Sequence, residues 1–288
     1  MRIGIHTSIS GSLERAALKA AELGANTFQI FSSSPRQWKP STLSVPAIKL
    51  LQRAREKHDL YPLAIHDNYL INLGAASENI RKLSIEAFRG ELERAIQIGA
   101  EYLIAHPGNY RGLSVERGIL NVLEGVREAA HGLPTGKLVL LIENTVGAGT
   151  QLGGCLEELH VMREFAPKMT DLSIGFCLDT CHLLASGYDI AAEEGLRDTV
   201  AKIDRFLGLE NVHVIHANDS KTPLGSHVDR HENIGEGHIG REGFRRILSH
   251  PALRNKAFIL ETPVDNEGDD KRNLETLKAL SGKHARRN

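Results

Sequence analysis

Residues 138–179 read LVLLIENTVGAGTQLGGCLEELHVMREFAPKMTDLSIGFCLD. Two apolar runs, Leu138–Glu143 and Ser173–Asp179, flank a helical stretch, Leu156–Phe165. Apolar residues that run on without alternation mark a strand covered on both faces, as in a parallel sheet. Strand, helix and strand at this spacing make a parallel βα unit. Each run ends on a carboxylate, Glu143 or Asp179.

The same unit repeats in both directions along the chain. Further strands are predicted at Arg2–His6, Thr27–Phe31, Pro62–His66, Tyr102–His106, Val212–His216 and Ala257–Glu261, which brings the total to eight. Helical patterns lie between them at Ser12–Leu23, Pro46–His58, Glu78–Ile98, Val115–Ala130, Gly195–Leu207 and Arg241–Leu248, and Asn273–Leu280 closes the series. In the long third helix Leu83, Ala87, Leu92 and Ile96 fall on one stripe. Eight strand–helix pairs point to a (β/α)₈ barrel rather than an open doubly wound sheet. No linker divides the chain, so residues 1–281 are expected to form one barrel domain and residues 282–288 a polar, basic, frayed tail. The main insertion is expected at Ala217–Gly240, after the seventh strand.

Composition sets the outer limits. The chain has 288 residues, 41% of them hydrophobic, and a formal net charge of -1. That balance taken alone gives no support to a nucleic-acid partner. Three cysteines, Cys155, Cys177 and Cys181, are too few and too irregular for a disulfide framework, and weakly suggest a reducing compartment. Cys177 and Cys181 are spaced C-x₃-C and read as packing residues. The opening MRIGIHTSIS has no apolar signal region, and no run is long enough to cross a membrane. A soluble cytoplasmic protein is expected. No phosphate-binding loop, dinucleotide fingerprint or nucleophile elbow is present, so nucleotide cofactors and serine-hydrolase chemistry have no sequence support.

The strand ends carry the chemistry. His66, His106, Glu143, Asp179, His216 and Glu261 end the third to eighth predicted strands. In a barrel these ends converge on one rim. Gathered carboxylates repel unless protons or cations offset them. Imidazoles interleaved with carboxylates match the ligands of zinc, iron or manganese. Any one such residue is more often a cap or a satisfied polar group; six on successive strands are not. His182 lies three residues past Asp179, in the loop or first helical turn. Asp229 and His231 alternate along an extended segment and so share a face, with Arg230 turned away.

With these residues in view, the chain resembles the endonuclease IV family of apurinic/apyrimidinic endonucleases. The resemblance rests on HDNYLINL from His66, AHPG from Ala105, IENTVGAG from Ile142 and CLDTCHLLASGYD from Cys177. HANDSK from His216, DRHENIGEGHIG from Asp229 and LETP from Leu260 complete it over nearly the whole chain. Small departures, Val146 in NTVG and Ala217 in HANDSK, touch no ligand position. The resemblance implies a xylose-isomerase-like TIM barrel with three zinc ions, for which manganese or iron could substitute. One ion would be held by His66, His106 and Glu143. A second would be held by Glu143, Asp179, His216 and Glu261, with Glu143 bridging. A third would be held by His182, Asp229 and His231. The ligand shells then sum to about +2, which suits an anionic phosphodiester despite the overall charge.

The implied reaction is hydrolysis 5′ to an abasic site in double-stranded DNA, by a monomer, with Glu143 and Glu261 at the chemistry. Arg36 in SPRQW, with Tyr69 and Leu70 in HDNYLINL, matches the family's DNA-penetrating residues. Two rival classes remain. Sugar isomerases and epimerases use a cluster like Glu143, Asp179, His216 and Glu261, but have no need of His182, Asp229 and His231. A non-catalytic abasic-DNA binder needs no complete cluster of nine ligands.

Overall fold

The computed structural model describes residues 1–34, 37–38 and 42–282. Arg36 and residues 283–288 of the expected tail lie outside the described residues. The elements in chain order are β1 (Arg2–His6), α1 (Leu13–Glu22), β2 (Phe28–Phe31), α2 (Val45–His58), β3 (Leu63–His66), α3 (Glu78–Ile98), β4 (Tyr102–Ala105), α4 (Val115–Ala130), β5 (Val139–Glu143) and α5 (Leu156–Met169). They continue with β6 (Ser173–Asp179), α6 (Thr180–Ala185), α7 (Glu193–Leu207), β7 (Val212–His216), β8 (Asp219–Ser220), β9 (His231–Glu232), α8 (Gly240–Ser249), β10 (Ala257–Leu260) and α9 (Asp269–Leu280).

Strands β1 to β7 follow one another round a closed parallel barrel, and β10 returns to pair with β1. Serine side chains define where the first helices begin. Ser12, Ser44, Ser77 and Ser114 each accept the backbone N–H three residues on, satisfying a donor that the first turn leaves unpaired. One apolar layer lies between the barrel and its helices. A second fills the barrel itself with Ala64, Ile104, Leu141, Cys177, Val214, Ala257 and Ile259. That inner layer fixes the site above it. Side chains two residues apart on a strand share a face. Two positions beyond Ala64, Ile104, Leu141, Cys177, Val214 and Ile259 stand His66, His106, Glu143, Asp179, His216 and Glu261. The residues that close the barrel floor therefore also aim the rim.

Several boundaries differ from the sequence reading. β4 and β10 stop one residue short of His106 and Glu261, which sit just past the ladder. The stripe expected on α3 is displaced in part. Leu92 is buried as expected and Ala87 and Ile96 pack partly on the core, but Leu83 is exposed and Ile85, Phe88 and Ala95 are buried; beside them Ser84 is buried and accepts the Asn72 N–H at 2.9 Å. α5 runs past Phe165 through Pro167 to Met169. The first helical turn allowed for His182 is α6, and the extended segment expected around Asp229 and His231 pairs in part as the β8–β9 ladder. Among the described residues no helix is long and apolar enough to cross a membrane.

Candidate metal centre

His66, Glu143, Asp179 and His216 are the last residues of β3, β5, β6 and β7 and are all buried. Asp179 also caps α6, its Oδ1 accepting the His182 N–H at 2.8 Å. That single carboxylate thus sets the turn that brings His182 over the rim. His231 arrives from the other side on β9, where it pairs with Ser220, and Asp229 lies two residues before it. The insertion is held down by Asp219, which is fully buried. Its carboxylate accepts backbone N–H groups from Ser220 at 2.8 Å, Gly235 at 2.9 Å, Gly237 at 3.0 Å, Ile239 at 2.9 Å and Gly240 at 3.2 Å. A Cβ at Gly237 would lie 2.4 Å from the Ser220 carbonyl oxygen, so the GEG turn needs its glycine there.

The candidate ligands fall into three groups, each with its ligand atoms within 4.8 Å of one another. They are His66 with His106 and Glu143; Glu143 with Asp179, His216 and Glu261; and His182 with Asp229 and His231. Glu143 belongs to two of them. His66 Nε2 is 3.3 Å and His106 Nε2 3.8 Å from Glu143 Oε2, while His216 Nδ1 is 3.0 Å from Oε1. His216 Nδ1 also lies 3.2 Å from Glu261 Oε2. In the outer group His182 Nε2 is 3.3 Å from Asp229 Oδ2, and His231 Nε2 is 3.4 Å from Asp229 Oδ1.

The far side of each ring decides what faces the centre. His66 Nδ1 meets the Asp67 carbonyl at 3.0 Å, His182 Nδ1 the Asn144 carbonyl at 2.9 Å, and His231 Nδ1 the Glu261 carbonyl at 3.0 Å. A carbonyl oxygen only accepts, so each of these nitrogens carries a proton. His216 donates Nε2–H to Gln29 Oε1 at 2.8 Å. In the neutral ring the other nitrogen is then a lone pair. Four lone pairs consequently point at carboxylate oxygens, an arrangement stable only with a cation between them, whether proton or metal. His231 Nε2 shows this most plainly: it is buried and has no hydrogen-bond partner among the described residues.

Proton affinities report the same demand. Burial works against protonating His66 and His182, but the carboxylates outweigh it. Glu143 leads in raising His66 to about 9, and Asp179 and Asp229 raise His182 to about 10. Burial likewise favours the neutral acid at Glu143 and Glu261, yet the surrounding imidazoles hold both below the usual carboxylate range. The donor set of imidazole and carboxylate, with its far nitrogens fixed, fits divalent ions such as zinc. Two further groupings include cysteines, Glu143–Cys177–His216 and Asp179–Cys181–His231. Burial pushes both thiols up to about 12, so neither is an available thiolate.

Tyr69 stands at the mouth, exposed, with its ring 5.2 Å from Phe31 and 6.2 Å from His66; Leu70 beside it is half-buried. Sequence reasoning passed over His6, Gln29, Asn144 and Asn218. Gln29 binds Glu261 and His216, Asn144 accepts the Asp179 N–H at 2.7 Å, and Asn218 donates to Asp179 Oδ2 at 2.6 Å. The available signals were His6 at the end of the first strand and Gln29 as a lone polar residue in FQIF.

Comparison with known proteins gives the same picture. The family described as "Xylose isomerase-like TIM barrel" matches residues 17–281. A "Probable endonuclease 4" of Solibacter usitatus is 60% identical over 282 residues, covering 98% of this chain and 97% of that protein. A protein of the same description from Halothermothrix orenii is 40% identical over 264 residues, 91% of this chain and 94% of its own. The crystal structure of endonuclease IV from Thermus thermophilus superposes with a TM-score of 0.87 at 39% identity, covering 98% of this chain and 100% of that one. A D-tagatose 3-epimerase-like protein, 20% identical with a TM-score of 0.70 over 99% and 100% of the two chains, shares the fold. On these matches and this rim, the chain belongs to the endonuclease IV family of the xylose-isomerase-like TIM barrels.

Proposed function

We propose that this protein is a DNA-repair endonuclease that uses three zinc ions to hydrolyse the phosphodiester 5′ to an abasic site in double-stranded DNA. The products are a 3′-hydroxyl and a 5′-deoxyribose phosphate. The observation that carries this reading is the set of four histidine lone pairs turned on carboxylates in three adjoining groups. The relatives described as endonuclease 4 support the substrate class.

The ions would be held as the three groups suggest: by His66, His106 and Glu143; by Glu143, Asp179, His216 and Glu261; and by His182, Asp229 and His231. Such ions supply positive charge for the phosphodiester and an activated water near neutral pH. The chain's own part is to hold the site. The fixed rings and the Asp179–Asn218 and Glu261–Gln29 contacts hold these donor groups in place without substrate, which would leave little reorganisation for the reaction. Glu261, one residue past β10, belongs to the cluster and lines the cleft, and would orient the water. The cleft is about 340 Å³ and is lined by Tyr69, His106, Glu143, Asp229 and Glu261, among others.

Abasic specificity follows from deformation. A nucleotide with no base costs little to turn out of the stack. Tyr69, Leu70 and Arg36 would enter the minor groove and fill the space. A sugar epimerase would use the Glu143, Asp179, His216 and Glu261 group and leave His182, Asp229 and His231 without a purpose.

The test is incision of a duplex with a single abasic site by the metal-loaded protein. Expected are a 3′ end that a polymerase extends and a 5′-deoxyribose phosphate. Intact DNA, or a 3′ end carrying a sugar remnant, would contradict the reading.

A further inference from the structure

One histidine at the rim, His6, stands apart from those just described. Gln29 Nε2 lies 2.5 Å from Glu261 Oε1. A carboxylate only accepts, so the amide nitrogen must stand there and the amide cannot be flipped. Gln29 Oε1 then takes the His216 Nε2–H, and the remaining amide hydrogen points at His6 Nδ1, 3.0 Å away. His6 Nδ1 is therefore an acceptor. Glu261 Oε1, at 3.6 Å, is beyond hydrogen-bond distance of Nδ1, and Gln29 Nε2 is the nearer partner.

An imidazole that accepts at Nδ1 carries its proton on Nε2 when neutral. The ring is packed on Phe31 with centroids 4.5 Å apart, and it lines the same cleft as His66, His106, Glu143 and Glu261. His6 belongs to none of the metal-binding groups found among the described residues. The four rings with fixed wiring offer lone pairs to cations; His6 offers a hydrogen.

We propose that His6 contacts the substrate directly, donating its Nε2–H to an anionic oxygen of the phosphodiester bound in the cleft. The assignment rests on the phosphodiesterase reading above. Cations draw in a phosphate without preference of direction. A fixed N–H adds orientation, because it rewards only the pose that places an oxygen in line with it.

The experiment compares His6→Phe and His6→Gln with the wild type, all metal-loaded, on a duplex containing one tetrahydrofuran abasic analogue. Phenylalanine keeps a ring against Phe31 and removes the donor; glutamine returns a terminal N–H. Metal per chain is measured for each, with kcat and KM. The expected result is unchanged metal content, a fall in kcat/KM of about 10- to 100-fold for His6→Phe, and recovery of much of it by His6→Gln. Wild-type kcat/KM in His6→Phe with full metal would overturn the assignment. A loss of metal that accounts for the loss of rate would also overturn it, since His6 would then act through the cluster. Nitrogen NMR of the wild-type imidazoles gives an independent reading that needs no variant. A protonated Nε2 on His6 is expected, and a proton on Nδ1 instead would refute the wiring. A wild type that does not cut the duplex would overturn both this assignment and the functional reading, and is recognised because the wild type itself is silent.

Discussion

Replacing Asp219 by alanine removes no candidate ligand, yet it should empty part of the site. The Asp219 carboxylate is fully buried and accepts five backbone N–H groups, from Ser220 and from Gly235 to Gly240. Four of these belong to the turn that follows β9 and leads into α8. The Ile239 amide is buried and would lose its partner outright, at about 1–3 kcal/mol. Gly235, Gly237 and Gly240 are half-buried, so water replaces part of what they lose. The total is about 3–5 kcal/mol, from one buried amide left unpaired and four charge-assisted hydrogen bonds exchanged in part for water. At about 2–4 °C per kcal/mol in a chain of this size, the thermal midpoint should fall by about 6–20 °C. The loosened insertion carries His231 and Asp229, so metal in the His182–Asp229–His231 group should fall with it. Asp219→Asn should do nearly as badly, because one acceptor oxygen becomes an NH₂ facing amide donors. The assay is thermal denaturation by circular dichroism, paired with metal per chain. A shift below about 2 °C with metal unchanged would refute the reasoning.

Glu261→Gln should cut the cleavage rate by about 10²–10³-fold while abasic-duplex affinity is largely kept, as kinetics and binding on one substrate will show; affinity collapsing with rate would make Glu261 chiefly structural. Tyr69→Ala with Leu70→Ala should weaken binding and cleavage of an abasic duplex at unchanged zinc, and spare a flexible small phosphodiester, with equal losses on both returning these residues to loop packing. Loading with zinc should release protons, because His66 and His182 stay protonated in the ion-free protein until pH passes about 9 and 10. Zinc affinity should therefore rise with pH across the neutral range, and calorimetry in buffers of different ionisation enthalpy should count about two or more protons released at pH 7; near-zero release would contradict the wiring of the rings.

The barrel was legible because its signals are local. Each apolar run and each helical stripe is set by neighbours within a few residues, and the polar strand ends mark one rim once the count reaches eight. His66, Glu143, Asp179 and His216 sit where that argument puts them, and His106 and Glu261 lie one residue beyond their strands. The unread part is relational. Gln29 is one polar residue in an apolar strand, and only the closed barrel brings it to Glu261 and His216, 232 and 187 positions away. Asn144 and Asn218 follow ligands in sequence and look like turn residues until their contacts with Asp179 are seen. The partner of Ser84 on α3 has the same origin, since the Asn72 N–H it accepts comes from a different segment.

The central claim is that the rim forms three cation centres and not two. Elemental analysis of protein prepared with zinc and without chelators, combined with an electron-density map of the same preparation, tests it most directly. The account predicts close to three ions per chain, with His182, Asp229 and His231 closed around one of them. Two ions per chain, with those three side chains free in the map, would contradict it.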